Sequence, residues 1–206
     1  TYYMPDLREL TLKVVPSAEQ PGEKFHYNNY HSLLEGMILE RTTGVTVSYY
    51  LQEKLWKPLG MQYPATWSVD SKLNAFEKMT SGLNARSIDF ARFGQLMLEN
   101  GDWQGRQLIP ESWVRESTRP DAKDERAWMD FTDFKEAGGY YKYHWWGIRR
   151  PDGHYVFFAK GSHGQYIYIC PKYRIVIVRN GNSEGQVDDW LDVFQQIEDQ
   201  LVANLD

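Results

Sequence analysis

The sequence has little cysteine, no long hydrophobic run and no cluster of basic residues. Its single cysteine, Cys170, excludes an internal disulfide and lies in an apolar run, 166–170, where a buried structural thiol is expected. No stretch approaches the roughly 18 apolar residues that a membrane-spanning helix needs. The net charge of −5, without a run of Lys or Arg, lacks the electrostatic footprint of a nucleic-acid binder and excludes that class.

Metal and cofactor motifs are also missing. None of the histidines is spaced from another histidine, or from Cys170, as paired metal ligands usually are, so the spacing predicts no metal site and no cofactor. The five are His26, His31, His144, His154 and His163. The first residues, Thr1 to Pro5, contain neither an initiator methionine nor a signal peptide, and this start carries no information about export.

The chain does contain a clear order of elements. Apolar periodicity and breakers predict helices in the first part, with Asn29 as the N-cap of the first of them and Gly44 as its stop. Further helices are predicted over 46–56, 87–98 and 110–116, and 121–139 is expected to be a long surface loop. Four strands follow, over 143–149, 155–160, 165–170 and 174–180, and a helix over 187–205 closes the chain. Short links between the strands predict antiparallel pairing.

This order predicts an α+β fold with the closing helix on one face of the sheet. Residues 1–140 form a mainly helical region that contains the Tyr-x-Asn motif. Residues 141–206 contain the antiparallel strands and the C-terminal helix, and together the two regions are expected to form one incomplete domain.

Two short segments contain residue types that suit catalysis. Tyr27-Asn28-Asn29 lies where a loop meets a helix, and a phenol becomes a base only beside cations, while an amide can orient a substrate carbonyl. The same residues would be explained without a catalytic role if Tyr27 packs against its neighbours and Asn29 caps the helix. Lys160-Gly161-Ser162-His163-Gly164-Gln165 leads into a strand, and its glycines would let a ligand approach the backbone. A hairpin turn with an exposed His163 is the simpler interpretation.

Several segments in order resemble one family. Pro21 to Asn29 resembles the P-G-x-x-F-x-Y-x-N segment of class C β-lactamase-like serine hydrolases, which are related to penicillin-binding proteins. Trp56 to Met61 resembles its PLGM stretch, Gly82 to Gly94 its D-l-a-R-f-g helix, and Gly161 to Pro171 its G-x-G-G-Q-x-i-y-v-x-P strand. That family includes esterases, DD-peptidases, D-aminopeptidases and nylon-oligomer hydrolases.

The resemblance implies a β-lactamase/transpeptidase-like fold and an acyl-enzyme mechanism. In the family, a Ser-x-x-Lys motif supplies the nucleophile, a Tyr-x-Asn tyrosine aids proton transfer, and a strand N–H contributes to the oxyanion hole. When the motifs are matched position by position, the resemblance implies that Tyr27 is the proton-transfer residue and that Asn29 orients the substrate. Ser162, His163 and Gly164 then edge the substrate and oxyanion site.

The sequence departs from the family pattern in two ways. It contains no Ser-x-x-Lys, so the nucleophile and the amino-terminal part of the fold are expected upstream of Thr1. The third motif is neither Lys-Thr-Gly nor His-x-Gly, because Ser162 stands where many members carry His, with His163 beside it. This departure disfavours β-lactamase activity on a carboxylate-bearing substrate and favours another acyl substrate.

Two functions remain open from the sequence. One is a serine hydrolase that acts on an ester, amide or lactam carbonyl, whose partners would be a small-molecule or peptide substrate and its own amino-terminal segment. The alternative is a catalytically silent relative that binds a peptide or cell-wall ligand. The resemblance suggests a periplasmic or extracytoplasmic location, by association only.

Overall fold

A computed structural model describes residues 3–20, 22–125, 127–128, 130–187 and 189–204. Pro21, the first residue of the Tyr-x-Asn segment, and Leu205, the predicted end of the last helix, lie outside these ranges. No helix among the described residues combines the length and the apolar character required to cross a bilayer.

The described part of the chain contains seven α-helices. A π-helical turn, Gln52–Trp56, continues α3, and 3₁₀ turns cover Ala122–Glu125 and Ser162–Gly164. The helices are α1 Leu7–Leu12, α2 Asn29–Thr43, α3 Val47–Leu51, α4 Ser87–Leu98, α5 Glu111–Thr118, α6 Thr132–Glu136 and α7 Trp190–Ala203. The predicted helices over 46–56 and 87–98 are confirmed, as is the stop of α2 before Gly44.

Eleven strands are present in the described residues, and only one sheet has more than two of them. The strands are β1 Lys24–Phe25, β2 Thr66–Trp67, β3 Leu83–Asn84, β4 Asp102–Trp103, β5 Arg106–Gln107, β6 Ala127–Trp128, β7 Gly139–Lys142, β8 Trp145–Arg149, β9 Tyr155–Gly161, β10 Gln165–Cys170 and β11 Ile175–Arg179. The five-stranded sheet has the order β11-β10-β9-β8-β7, and every neighbouring pair is antiparallel. The predicted antiparallel arrangement is therefore confirmed.

Two details of the predicted elements are wrong. The predicted strand 143–149 begins two residues later, because Tyr143 and His144 take φ angles of 45° and 70° and form a tight turn that joins β8 to an additional strand, β7. Neither residue is a glycine or an asparagine, so the sequence shows no turn signal there. The predicted loop 121–139 contains a 3₁₀ turn, β6 and α6.

The described residues form two compact units. The first comprises the described residues of 3–86 together with 127–128 and 130, and the second comprises 87–125 and the described residues of 131–204. In the first unit, Leu7 of α1 packs with Leu33 and Met37 of α2 and with Phe76, all of them buried. The Arg8 guanidinium donates to both oxygens of Glu40, at 2.9 and 2.7 Å, which joins α1 to α2 at the edge of this core.

The second unit consists of three layers, with the sheet in the middle. On one face, Ile167 and Ile169 of β10 pack with Met97 of α4 and Val114 of α5. Helix α4 lies very close to the sheet at Gly94, where an added Cβ would stand 2.7 Å from a methyl carbon of Val176. Alternate residues of a strand point to opposite faces, so the intervening tyrosines of β10 face the other way.

Helix α7 covers that second face, as the sequence predicts. The ring of Phe194 lies 5.3 Å from the ring of Tyr166 and 5.9 Å from that of Tyr168, measured between centroids. The buried face of α7 thus places its side chains directly against β10. The predicted α+β fold with a helix behind the sheet is confirmed. The division into regions 1–140 and 141–206 stays a prediction.

Candidate active site

The segment with Tyr27 and Asn29 ends in a helix cap that is made by a different residue from the one predicted. Asn28, not Asn29, is the N-cap of α2, with φ −138° and ψ 117°, and its side-chain oxygen accepts from the Tyr30 N–H at 2.9 Å. The cap is shifted by one residue because Asn29 already has helical geometry. Asn29 is exposed, and its amide lies outside the cap. The capping interpretation therefore does not account for Asn29.

Strand β6 and the residue Asp130, in the same unit, hold the backbone at Tyr27 and at the residues that precede it. Strand β1 pairs in parallel with β6, and the rings of Phe25 and Trp128 lie 4.3 Å apart. Asp130 follows β6, and one of its carboxylate oxygens, Oδ2, accepts from the Tyr27 N–H at 3.0 Å and lies 2.8 Å from His26 Nδ1. The Tyr27 side chain itself is 40% exposed. Its backbone is thus fixed while its ring stays accessible from solvent.

The second predicted segment is a turn between β9 and β10. Ser162, His163 and Gly164 form a 3₁₀ turn, in which His163 takes a left-handed conformation with φ 64° and ψ 27°. The family pattern G-x-G-G-Q has glycine at that position. A side chain in this region costs roughly 1–2 kcal/mol, so a histidine here indicates strain that is concentrated in the candidate site.

Arg179, at the end of β11, fixes this turn by hydrogen bonds to its backbone. Its Nη1 atom donates to the backbone oxygens of His163 and Gly164, at 2.9 and 2.7 Å, and its Nη2 atom donates to Ser183 O at 3.0 Å. In a trans peptide the C=O and N–H groups point in opposite directions. Anchoring the His163 carbonyl therefore fixes the direction of the Gly164 N–H.

Gly164 is required for this close contact. An added Cβ would lie 2.5 Å from Arg179 Nη1, 2.8 Å from the Trp190 ring and 2.9 Å from a Glu184 carboxylate oxygen. Its φ of 70° is also left-handed, which disfavours any side chain there. Arg179 in turn stacks on Trp190, at 3.9 Å from the ring centroid. A side chain at position 164 would therefore clash with three neighbouring residues.

The five predicted site residues fall into the two units. Tyr27 and Asn29 belong to the first unit, and Ser162, His163 and Gly164 belong to the second. Within each unit the predicted residues are adjacent in the chain and share one local structure. Sequence reasoning missed Asp130 and Arg179, which contact these segments from 103 and about 15 positions away. No local pattern marks either residue.

The sequence profile of the Beta-lactamase family matches residues 5–201. The chain belongs to the beta-lactamase family. The curated relatives include a 6-aminohexanoate-dimer hydrolase from Paenarthrobacter ureafaciens, which is 27% identical over 156 residues, or 76% of this chain and 38% of that protein. The family resemblance read from the motifs is thereby confirmed.

Solved structures confirm the fold of this beta-lactamase relative. A "Putative 6-aminohexanoate-dimer hydrolase from Bacillus anthracis" superposes with a TM-score of 0.77 at 28% identity, over 92% of this chain and 46% of that chain. A putative beta-lactamase from Bacteroides dorei DSM 17855 has a TM-score of 0.63 at 18% identity, over 88% of this chain and 61% of that one. The chain thus spans less than two thirds of the length of the relatives it matches.

The left-handed conformation of His163 leads to a prediction about stability. We expect His163→Gly to raise the free energy of unfolding by roughly 0.5–1 kcal/mol. Glycine removes the side-chain cost of a positive φ, but it also loses more conformational entropy on folding, which offsets part of this gain. Urea denaturation followed by circular dichroism measures the change. Ser162→Gly is the matched control, since Ser162 has ordinary helical geometry and should lose stability. Equal or lower stability of His163→Gly would contradict the strain assigned to this residue.

Proposed function

We propose that the protein containing this chain is a serine hydrolase that forms an acyl-enzyme, with its nucleophilic Ser-x-x-Lys outside residues 1–206. The observation that carries the proposal is the start of α2. Asn28 makes the cap, Asn29 is exposed beside it, and Tyr27 is 40% exposed. The first and last residues of the Tyr-x-Asn motif thus lie together at the helix start, and neither of them makes the cap.

The proposed chemistry assigns one role to each predicted residue. The serine oxygen attacks the substrate carbonyl carbon, and its proton passes through Lys and Tyr27 to the leaving group as the bond to that group breaks. The side-chain amide of Asn29 orients the substrate by hydrogen bonding to a substrate carbonyl. The Gly164 N–H, held by Arg179, contributes to the stabilisation of the oxyanion. Water then attacks the acyl-enzyme and regenerates the serine.

A short linear amide is the substrate class that the relatives favour. Two proteins similar to this chain, at 27% and 28% identity, carry the name 6-aminohexanoate-dimer hydrolase, which denotes a linear amide substrate. The turn 162–164 also lacks the Lys-Thr-Gly motif of β-lactamases. We therefore infer that amides of amino acids without a lactam ring are cleaved faster than β-lactams.

Covalent labelling tests the proposal directly. We expect the protein with its upstream residues to gain the mass of one fluorophosphonate probe, because a serine activated by a neighbouring lysine attacks the probe's phosphorus. Intact mass spectrometry measures the adduct, and peptide mapping locates it. The control is the same protein with the upstream serine replaced by alanine, which should gain no mass.

The labelling result also separates the hydrolase from the catalytically silent alternative. Binding of a peptide or cell-wall ligand by the protein, with an intact upstream Ser-x-x-Lys and no adduct, would favour a binding module. A comparison of the hydrolysis rates of a short linear amide and a chromogenic cephalosporin then tests the substrate class. Faster cleavage of the cephalosporin would contradict the inferred preference.

A further inference from the structure

Three side chains with metal-binding atoms meet beneath α7, far from the turn 162–164. His154 precedes β9, Cys170 ends β10 and Glu198 lies on α7, and the candidate ligand atoms of all three are within 4.8 Å of one another. His154 lies at the end of β9 opposite Gly161, and the seven residues of this strand span roughly 20 Å. The cluster is therefore separate from the turn 162–164 of the same unit.

The three side chains are shielded from solvent. Glu198 and Cys170 have no exposed surface, and the His154 side chain is 10% exposed. A carboxylate in such a place requires compensation, since burial of an unpaired charge is costly. Here the Glu198 Oε1 atom lies 2.9 Å from His154 Nε2, and its other oxygen accepts from the Tyr168 hydroxyl. The cluster is thus polar, compact and internally hydrogen bonded.

The groups behind these three are arranged as the outer partners of a metal site are. Metal-binding histidines almost always donate their second ring N–H to a carboxylate or carbonyl, which orients the ring. His154 Nδ1 contacts the Asp152 carboxylate, which leaves Nε2 directed at the cluster. Lys172 Nζ donates to the other oxygen of Asp152 at 2.6 Å and fixes this carboxylate beside His154.

The other two side chains have outer partners as well. The Tyr168 hydroxyl donates to Glu198 Oε2 and so orients this carboxylate. The Cys170 sulfur accepts hydrogen bonds from the backbone N–H groups of Tyr173 and Lys172. Hydrogen bonds of this kind are typical outer contacts of a metal-binding side chain.

From these contacts we propose that His154 Nε2, Cys170 Sγ and a Glu198 carboxylate oxygen bind a zinc ion, with water in the fourth position. One sulfur, one nitrogen and one oxygen suit a borderline-soft ion, whereas Ca²⁺ and Mg²⁺ take oxygen ligands. Ligand atoms of tetrahedral zinc lie about 3.5 Å apart. The widest separation here, 4.8 Å at most, would have to contract by up to about 1.3 Å. The 2.9 Å contact between His154 Nε2 and Glu198 Oε1 would have to lengthen by about 0.6 Å.

Zinc binding at this cluster would release protons. The hydrogen bond between His154 Nε2 and Glu198 Oε1, at 2.9 Å, contains one proton, and the thiol of the free cysteine Cys170 contains another. Zinc takes the place of both, and two protons pass to solvent. Since the ligands come from a turn, a strand and a helix, the ion would also fasten α7 to the sheet.

Cobalt titration of the intact protein tests the proposal, since Co²⁺ occupies zinc sites and reports a bound thiolate. We expect one equivalent to produce a near-ultraviolet cobalt–thiolate band, and added Zn²⁺ to remove the band. In Cys170→Ser the band disappears. In Asp152→Asn, which leaves the three ligands in place, affinity falls by about 10- to 100-fold. Asp199→Asn on the same helix is the control and keeps the affinity, because Asp199 pairs with Arg150.

Two results would overturn the proposal. The first is a titration without a near-ultraviolet band, which would identify the cluster as a hydrogen-bonded network that binds no ion. The second is unchanged affinity in both Cys170→Ser and Asp152→Asn, which would place the ion elsewhere. Circular dichroism of each metal-free variant verifies its fold. Asp152 is nearly half exposed, so its variant carries the test if a buried substitution prevents folding.

Discussion

We expect the replacement of Tyr27 by phenylalanine to lower turnover by about 10²-fold or more, the scale of general acid–base effects. The substitution removes only the hydroxyl, and the partly exposed ring and the backbone bond from Tyr27 N–H to Asp130 remain. The loss should therefore fall on kcat, while KM changes little because the substrate is still bound. Steady-state kinetics of the protein with its upstream residues, using a short linear amide, measures both quantities.

Tyr49→Phe is the matched control for this experiment. Tyr49 is an exposed tyrosine of the same unit, on α3, at 53% exposure, and its hydroxyl has no proposed role in the reaction. Its variant should retain the parental kcat. Unchanged turnover in Tyr27→Phe would remove Tyr27 from the mechanism. An equal loss in both variants would indicate a general effect on the fold instead.

The second large effect is expected at Arg179, as a positioning residue of the turn. Arg179→Ala removes the donors that hold the His163 and Gly164 carbonyls, so the Gly164 N–H loses its fixed direction. Removal of one oxyanion donor costs about 10²- to 10³-fold in kcat in other hydrolases, and we expect a loss of about 10²-fold here. A fall in kcat without a matching rise in KM is the signature of a donor that acts in the transition state.

Two variants separate this role from a general loss of stability. Arg179→Lys keeps one cation but cannot bond both carbonyls and Ser183 in a fork, so its kcat should lie between those of the parent and of Arg179→Ala. Arg174→Ala is the control. Arg174 immediately precedes β11, at the opposite end of the strand from Arg179, and pairs with Glu99, so its loss should leave kcat unchanged. If kcat of Arg179→Ala stays at the parental value, Arg179 does not orient the donor.

The sequence predicted most elements because their signals are local. The helix 87–98 and the strands 155–160 and 165–170 have apolar patterns that match their burial, and Gly44 ends α2. Where such signals are missing, prediction failed. The turn at Tyr143 and His144 lies in an aromatic run without a breaker, and the cap of α2 could fall on either of two consecutive asparagines.

The sequence by itself determined the family, the α+β fold and the two segments proposed for catalysis, because each depends on residues that are neighbours in the chain. The tertiary structure decided which residues support those segments. Asp130 reaches Tyr27 through the pairing of β1 with β6, and Arg179 reaches the turn through the hairpin of β10 and β11. His154, Cys170 and Glu198 meet only because α7 packs on β10. Contacts of this kind are set by the packing of whole elements, and spacing along the chain does not encode them.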